Sequence, residues 1–320
     1  MLDSFGRNIE YMRVSVTDRC NLRCKYCMPK DLPFIPHGNI LRYEEILRIC
    51  KAAAKTGVRI VKVTGGEPLV RKGCAGFIRE LKSVPGIGHV TLTTNGVFLG
   101  QNINILKEAN LDCVNISLDT LDAGVYERIT GQDCLGTVRQ SILKAVESGL
   151  RVKINCVPVR GLNETEIVPI ASLAGIMPID IRFIELMPTM MNRNMERVTG
   201  REVYERILTA YPDLTPDSTK HGFGPARYYK SAKLMGGIGF INAIGDCFCP
   251  ECNRIRLTSE GFLKQCLYFG GGLDLRAMLR GGASDSELET ALAGVIYNKP
   301  GRHQFGGKRE GIPGMSGIGG

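Results

Sequence analysis

Six short runs of aliphatic and β-branched residues, near 11–17, 58–64, 88–94, 112–118, 151–158 and 179–186, alternate with amphipathic stretches near 43–56, 73–83, 100–110, 136–148 and 164–176. Parallel strands can be joined only through a crossover, so this alternation predicts βα units around a parallel sheet. The first helical stretch puts Ile46, Leu47, Ile49 and Cys50 on one side, as a helix resting on a sheet must. About six units suggest a partial α/β barrel, and 320 residues leave room for an appendage.

Side chains alternate faces along a strand, and here polar groups recur at i and i+2. Arg13, Ser15 and Thr17 oppose Val14 and Val16, and Lys62 and Thr64 oppose Val61 and Val63. Thr91 and Thr93, Asn115 and Ser117, and Lys153 and Asn155 repeat the pattern. With helices covering the apolar faces, the polar faces line a lumen, whereas a closed eight-stranded barrel fills it with Val, Ile and Leu. The alternative is that these pairs face solvent, as on one side of an antiparallel sheet.

Directly after the first strand comes Cys20-Asn-Leu-Arg-Cys24-Lys-Tyr26-Cys27, three cysteines spaced C-x3-C-x2-C with no fourth until Cys50. Three clustered thiolates suggest an iron–sulfur cluster with one iron open. A zinc site remains the alternative. Twelve cysteines without an apolar signal segment among Met1–Arg7 point to metal binding in a reducing, cytoplasmic setting, not to disulfides. Cys50, Cys74, Cys113, Cys134 and Cys156 sit singly among aliphatics and read as small buried hydrophobes. No apolar run is long enough to span a bilayer, so no membrane partner is expected. The net charge of +9 favours an anionic partner, but without a long basic run, without Trp and with 7% aromatics the partner is a small polyanion, not nucleic acid.

The cysteine octet, with Thr64-Gly-Gly-Glu67-Pro68 after the second strand, resembles the radical S-adenosylmethionine (SAM) superfamily. The resemblance implies an incomplete (β/α)6 TIM-like barrel with Cys20, Cys24 and Cys27 holding a 4Fe-4S cluster whose open iron binds SAM. It further implies that Tyr26 touches the adenine through its backbone, that Gly65, Gly66 and Glu67 contact the SAM amino group, and that Ser117, Arg182 and Met187 approach the rest of SAM. Active sites of β/α barrels lie at the C-terminal ends of the strands, where these loops fall.

Near residue 188 the pattern changes, giving an expected barrel over 1–188, a C-terminal region over 189–299 and a glycine-rich tail over 300–320. Within the second region 201–211 reads as a helix and 226–243 as strands or irregular chain. Cys249, Cys252 and Cys266 form C-x2-C-x13-C, either a second cluster with an open iron or a structural zinc site completed by Cys247. Cys252, Arg254 and Arg256 share one face of an extended segment, which aims two guanidiniums at the metal. Zinc gains nothing from adjacent cations, whereas a triphosphate gains bidentate, charge-assisted hydrogen bonds.

Cys252-Asn-Arg-Ile-Arg-Leu-Thr and Cys266-Leu-Tyr-Phe, together with Arg13-Val-Ser-Val-Thr-Asp-Arg-Cys20, Arg182-Phe-Ile-Glu and the terminal Gly319-Gly320, resemble the GTP 3′,8-cyclase family of molybdenum-cofactor biosynthesis. That resemblance implies two 4Fe-4S clusters, the second on Cys249, Cys252 and Cys266, with GTP touched by Arg13, Lys62, Thr93, Lys153, Arg254 and Arg256. Arg254, Arg256, Gly319 and Gly320 are its implied catalytic residues, the double glycine threading into the site. Lys62 stands where relatives often carry arginine, Ile60 where a basic residue is expected, and Cys247 leaves open a register exchange with Cys249. The implied reaction is SAM cleavage to a 5′-deoxyadenosyl radical, hydrogen removal from C3′ of GTP and closure onto C8, giving (8S)-3′,8-cyclo-7,8-dihydroguanosine 5′-triphosphate. An external one-electron donor, a homodimer and hand-over to cyclic pyranopterin monophosphate synthase are implied as well. A radical SAM peptide maturase with an auxiliary cluster, or a non-enzymatic metal-binding module, are the alternatives.

Overall fold

The computed structural model describes residues 1–28, 34–189, 192–245 and 248–303. Its first half runs β1 (Tyr11–Ser15), α1 (Tyr43–Lys55), β2 (Ile60–Thr64), α2 (Cys74–Lys82), β3 (His89–Thr94), α3 (Leu99–Glu108), β4 (Cys113–Ser117), α4 (Ala123–Thr130), α5 (Leu135–Glu147), β5 (Val152–Cys156), α6 (Ile167–Ile176) and β6 (Asp180–Ile184). Strands β1 to β6 pair side by side, parallel and in chain order. Helix α4 is the addition to the expected pattern. Its start and stop are written locally: the Asp122 side chain accepts from Val125 N, and Gly131 ends the helix at φ 76°.

The second half runs α7 (Gly200–Ala210), β7 (Thr215–Asp217), β8 (Arg227–Lys230), β9 (Ile238–Ile241), β10 (Arg254–Leu257), β11 (Phe262–Lys264), β12 (Gly272–Asp274), α8 (Leu275–Arg280) and α9 (Asp285–Tyr297). It does not stand apart from the barrel sheet. Strand β9 pairs parallel with β6, and β10 pairs parallel with β1. The parallel wall therefore reads β10-β1-β2-β3-β4-β5-β6-β9, and antiparallel strands extend it at both ends. Edges that the six-stranded unit would leave with unpaired backbone groups are thereby paired.

Val14, Val16, Val61, Val63, Val90, Leu92, Val114, Ile116, Ile154 and Ile181 are fully buried in the core beneath the helices. On the opposite face Ser15, Lys62, Thr64, Thr91, Asn115, Lys153 and Arg182 are buried too. The polar faces thus look inward, and the solvent-facing alternative does not hold. Cys50, Cys74 and Cys156 are core residues; Cys134 is half-buried; Cys113 is buried but on the lumen side. No helix among the described residues is long and apolar enough to cross a membrane.

Candidate active site between two cysteine groups

Register places the two cysteine groups at opposite ends of one lumen. Cys20, Cys24 and Cys27 follow the C-terminal end of β1, while Cys249 and Cys252 precede the N-terminal end of β10, where Arg254 lies beside Tyr11. Strand β11 returns antiparallel, with Lys264 opposite Arg256, so Cys266 comes back to the same end as Cys252. From Tyr11 to Ser15 the strand rises about 13 Å.

At the C-terminal end, the loop after β2 is moulded onto the segment before Cys20. Gly66 N donates to Thr17 O at 2.7 Å and Glu67 N to Arg19 O at 2.8 Å. A Cβ at Gly65 would meet Thr17 O at 2.8 Å, and one at Gly66 would overlap the Asp18 and Arg19 backbone, which is why both positions are glycine. The buried Glu67 carboxylate accepts from Leu69 N (3.0 Å), Thr94 Oγ1 (2.8 Å) and Asn95 N (2.6 Å). Burial nevertheless lifts its carboxyl to about 7. Asn95 Nδ2 reaches Asn21 Oδ1 at 2.9 Å and the Cys20 sulfur at 3.8 Å.

The cysteine loop is fixed from the other side as well. Arg23 N and Lys25 N donate to Thr130 O and Ile129 O at the end of α4. Tyr26 donates its hydroxyl to Asp119 Oδ2 at 2.5 Å, and Asp119 Oδ1 accepts from Val157 N at 2.8 Å. Burial raises the Asp119 carboxyl to about 6. Asp119 was not among the predicted site residues; its place in a loop after a barrel strand is the signal that could have found it. Ser117 ends β4 half-buried, and Met187 is half-buried with its carbonyl accepting from Asn192 Nδ2.

The lumen between is cationic. Arg13 faces Lys62 on one side and Arg256 on the other. Desolvation, then the Arg254 and Arg182 charges, lowers Arg13 to about 10. Lys62 is held well below its ordinary value by burial and by Arg182, Arg13 and Lys153; Arg256 is likewise lowered by burial, Arg13 and Arg254. Arg182, which the resemblance assigns to SAM, lies in this cation group and donates to Asn115 Oδ1, with its Nε lacking a partner among the described residues. Its side chain alternates inward on β6 as the lumen residues of the other strands do. Thr64, Thr91 and Thr93 hydroxyls and Asn155 Oδ1 are similarly unsatisfied.

A cavity of about 770 Å³ opens at the N-terminal end of the strands, lined by Lys62, Thr91, Asn115, Lys153 and Arg182. Ile60 also lines it and brings no charge. The β7–β8 hairpin covers this opening. Lys153 donates to His221 O and to Tyr228 Oη (3.1 Å) and pairs with Asp180 at 2.8 Å. His221 is stacked on Tyr228 and bridges Asp180 and Asp217. No short motif marks this cover, because the hairpin reaches the opening only through β9, which pairs with β6 more than fifty residues earlier in the chain.

In the second group Cys249 is buried, Cys252 and Cys266 are half-buried, and Arg254 Nη2 approaches the Cys252 sulfur at 3.9 Å. Desolvation of Cys252 is outweighed by the Arg254 and Lys299 charges, so its thiol falls to about 7. Among the described residues no three metal-binding side chains form a group able to hold one ion. Thiolates around a cluster each bind a different iron and need not converge on one point. On that ground the three sulfurs of each group suit a cluster. Cys247, Gly319 and Gly320 lie outside the described residues.

A radical SAM superfamily family model matches residues 14–174, and one described as Molybdenum Cofactor Synthesis C matches residues 179–305. In fold the chain is similar to Streptococcus suis SuiB bound to S-adenosylmethionine, with a TM-score of 0.67 at 15% identity over 92% of this chain; it spans 66% of that longer chain. The class is thus radical SAM. The GTP 3′,8-cyclase of Clostridium perfringens (strain 13 / Type A) is 45% identical over 306 residues, 95% of each chain. That of Moorella thermoacetica is 44% identical over 324 residues, the full length of both. The chain belongs to the GTP 3′,8-cyclase family.

Proposed function

We infer that this chain is a GTP 3′,8-cyclase, catalysing the radical cyclisation that opens molybdenum-cofactor biosynthesis. The observation that carries the reading is the row of inward-facing cations, Arg256, Lys62, Lys153 and Arg182 buried and Arg13 half-buried among them, in the lumen between two cysteine groups. Like charges side by side in a sheet repel, and a triphosphate lying over them would offset that repulsion.

Cys20, Cys24 and Cys27 would hold one 4Fe-4S cluster, and Cys249, Cys252 and Cys266 the other. When bound, the first cluster and SAM together supply the 5′-deoxyadenosyl radical that takes hydrogen from the GTP ribose. The chain's own part is orientation, charge and exclusion of water. Gly65, Gly66 and Glu67, with Tyr26, Ser117 and Met187, shape the SAM end. Arg13, Lys62, Thr93 and Lys153 take the triphosphate, and we move Arg182 from the SAM set to this one. Lys153 holds Asp180 and, through His221 O and Tyr228 Oη, the hairpin, so a phosphate at this ammonium competes with both. Arg254 and Arg256 direct the nucleotide toward the second group, and the Gly319-Gly320 tail is assigned to the same chamber. An external one-electron donor, a cytoplasmic setting, a homodimer and transfer of product to cyclic pyranopterin monophosphate synthase complete the reading.

The test is anaerobic reconstitution with iron and sulfide, then incubation with SAM, reductant and GTP under mass spectrometry. 5′-Deoxyadenosine together with an isomer of GTP is expected. 5′-Deoxyadenosine with unaltered GTP would overturn the substrate and leave the radical SAM class standing.

A further inference from the structure

We infer that Lys299 is the internal counter-ion of the second cysteine site, a fixed ammonium that favours negative charge on the cluster there. The inference rests on the reading of Cys249, Cys252 and Cys266 as cluster ligands. Lys299 is 2% exposed, and lysines buried so deeply are rare unless paired. Its Nζ donates to Gln265 O at 2.8 Å, the acceptor it has among the described residues. Among the described residues one neutral carbonyl answers three donors, and no anion compensates the charge there. The geometry says where the anion belongs: Gln265, whose carbonyl the ammonium holds, immediately precedes Cys266.

The lysine is held there by a dedicated anchor. Arg7 is buried, pairs with Asp3 at 2.6 Å, and donates to Cys249 O (2.9 Å), Lys299 O (3.3 Å), Pro300 O (2.8 Å) and Gly301 O (3.0 Å). One guanidinium therefore fixes both the first cysteine of the group and the backbone of Lys299. Gln265 is held in turn by its Nε2 bond to Val295 O at 3.0 Å. Arg254, the cation beside Cys252, belongs to the strand that carries the lumen arginines, whereas Lys299 follows α9 and has no place in the cavity lining. Reduction adds negative charge to a cluster, so a permanent cation at the ligands raises its potential whether or not substrate is present.

The test uses the full chain with Cys20, Cys24 and Cys27 replaced by Ala, so that only the second cluster contributes, reconstituted and followed by iron analysis and a redox titration monitored by electron paramagnetic resonance. In that background Lys299→Met is expected to keep about four irons while its midpoint potential moves to more negative values, and Lys299→Arg to return it toward the parent value. Lys299→Met with full iron and an unmoved potential would overturn the inference. If Lys299→Met loses its iron, recovery of iron and potential by Lys299→Arg but not Lys299→Gln supports a requirement for charge; recovery of both by Lys299→Gln, or by neither, overturns it. A parent chain that takes up no iron refutes the cluster reading itself, a failure the iron analysis separates before any potential is measured.

Discussion

Arg13 on β1 and Arg256 on β10 stand directly beside one another across a parallel strand pair, and both are pushed below their ordinary values by burial and by neighbouring positive charge. Two strands distant in sequence are brought together with their cations in register. Replacing Arg256 by Met should therefore relieve repulsion in the free chain and weaken the nucleotide. GTP affinity by calorimetry should drop roughly 10- to 150-fold, the worth of one or two charge-assisted contacts. Unchanged affinity would remove Arg256 from the site.

Glu67 makes the free protein's stability depend on pH. Its carboxyl sits at about 7 against an ordinary 4.5, because burial penalises the ionised form more than its three donors favour it. A raised value means the contribution is fully present below 4.5 and is lost as pH rises through about 7. Denaturant unfolding of wild type and Glu67→Gln should show wild type losing up to about 3 kcal/mol relative to the variant between pH 4.5 and 8. Parallel pH profiles would contradict the assignment.

Gly66→Ala places a methyl group in the Asp18 and Arg19 backbone. No flexible side chain is there to yield, so the loop before Cys20 must shift. We expect a loss of roughly 1–3 kcal/mol and loss of iron from the first site, with iron at the second retained. Full iron occupancy would show that the loop tolerates the displacement.

The two cysteine groups should be separable. Cys24→Ala should abolish formation of 5′-deoxyadenosine, whereas Cys252→Ala should still cleave SAM and fail to convert GTP, each chain keeping about four irons. Retained cleavage in Cys24→Ala would refute the first assignment.

Much of the barrel was legible because its signals are local. Strict alternation at Lys62, Val63 and Thr64 tells the lumen from the core, and the helical periodicity around Ile46 and Ile49 survives folding unchanged. Arg182 was harder: its motif suggested the SAM end, but only the register Asn155–Arg182 and the bond to Asn115 reveal its company. The attachment of β9 and β10 to opposite edges of the barrel carries no short-range signature at all. Arg7 and Lys299 were invisible for the same reason: Arg7 reaches a carbonyl 242 residues away at Cys249, and Lys299 one 34 residues back at Gln265.

The last two strands of the parallel wall are also the last to be made. While the chain is emerging from the ribosome, β1 and β6 are complete long before residues 238–241 and 254–257 exist to cover them. The nascent barrel thus spends tens of residues of synthesis with two bare sheet margins, each a template for the wrong neighbour. Vulnerability to aggregation is greatest in that interval, and a truncation before β9 would make it permanent.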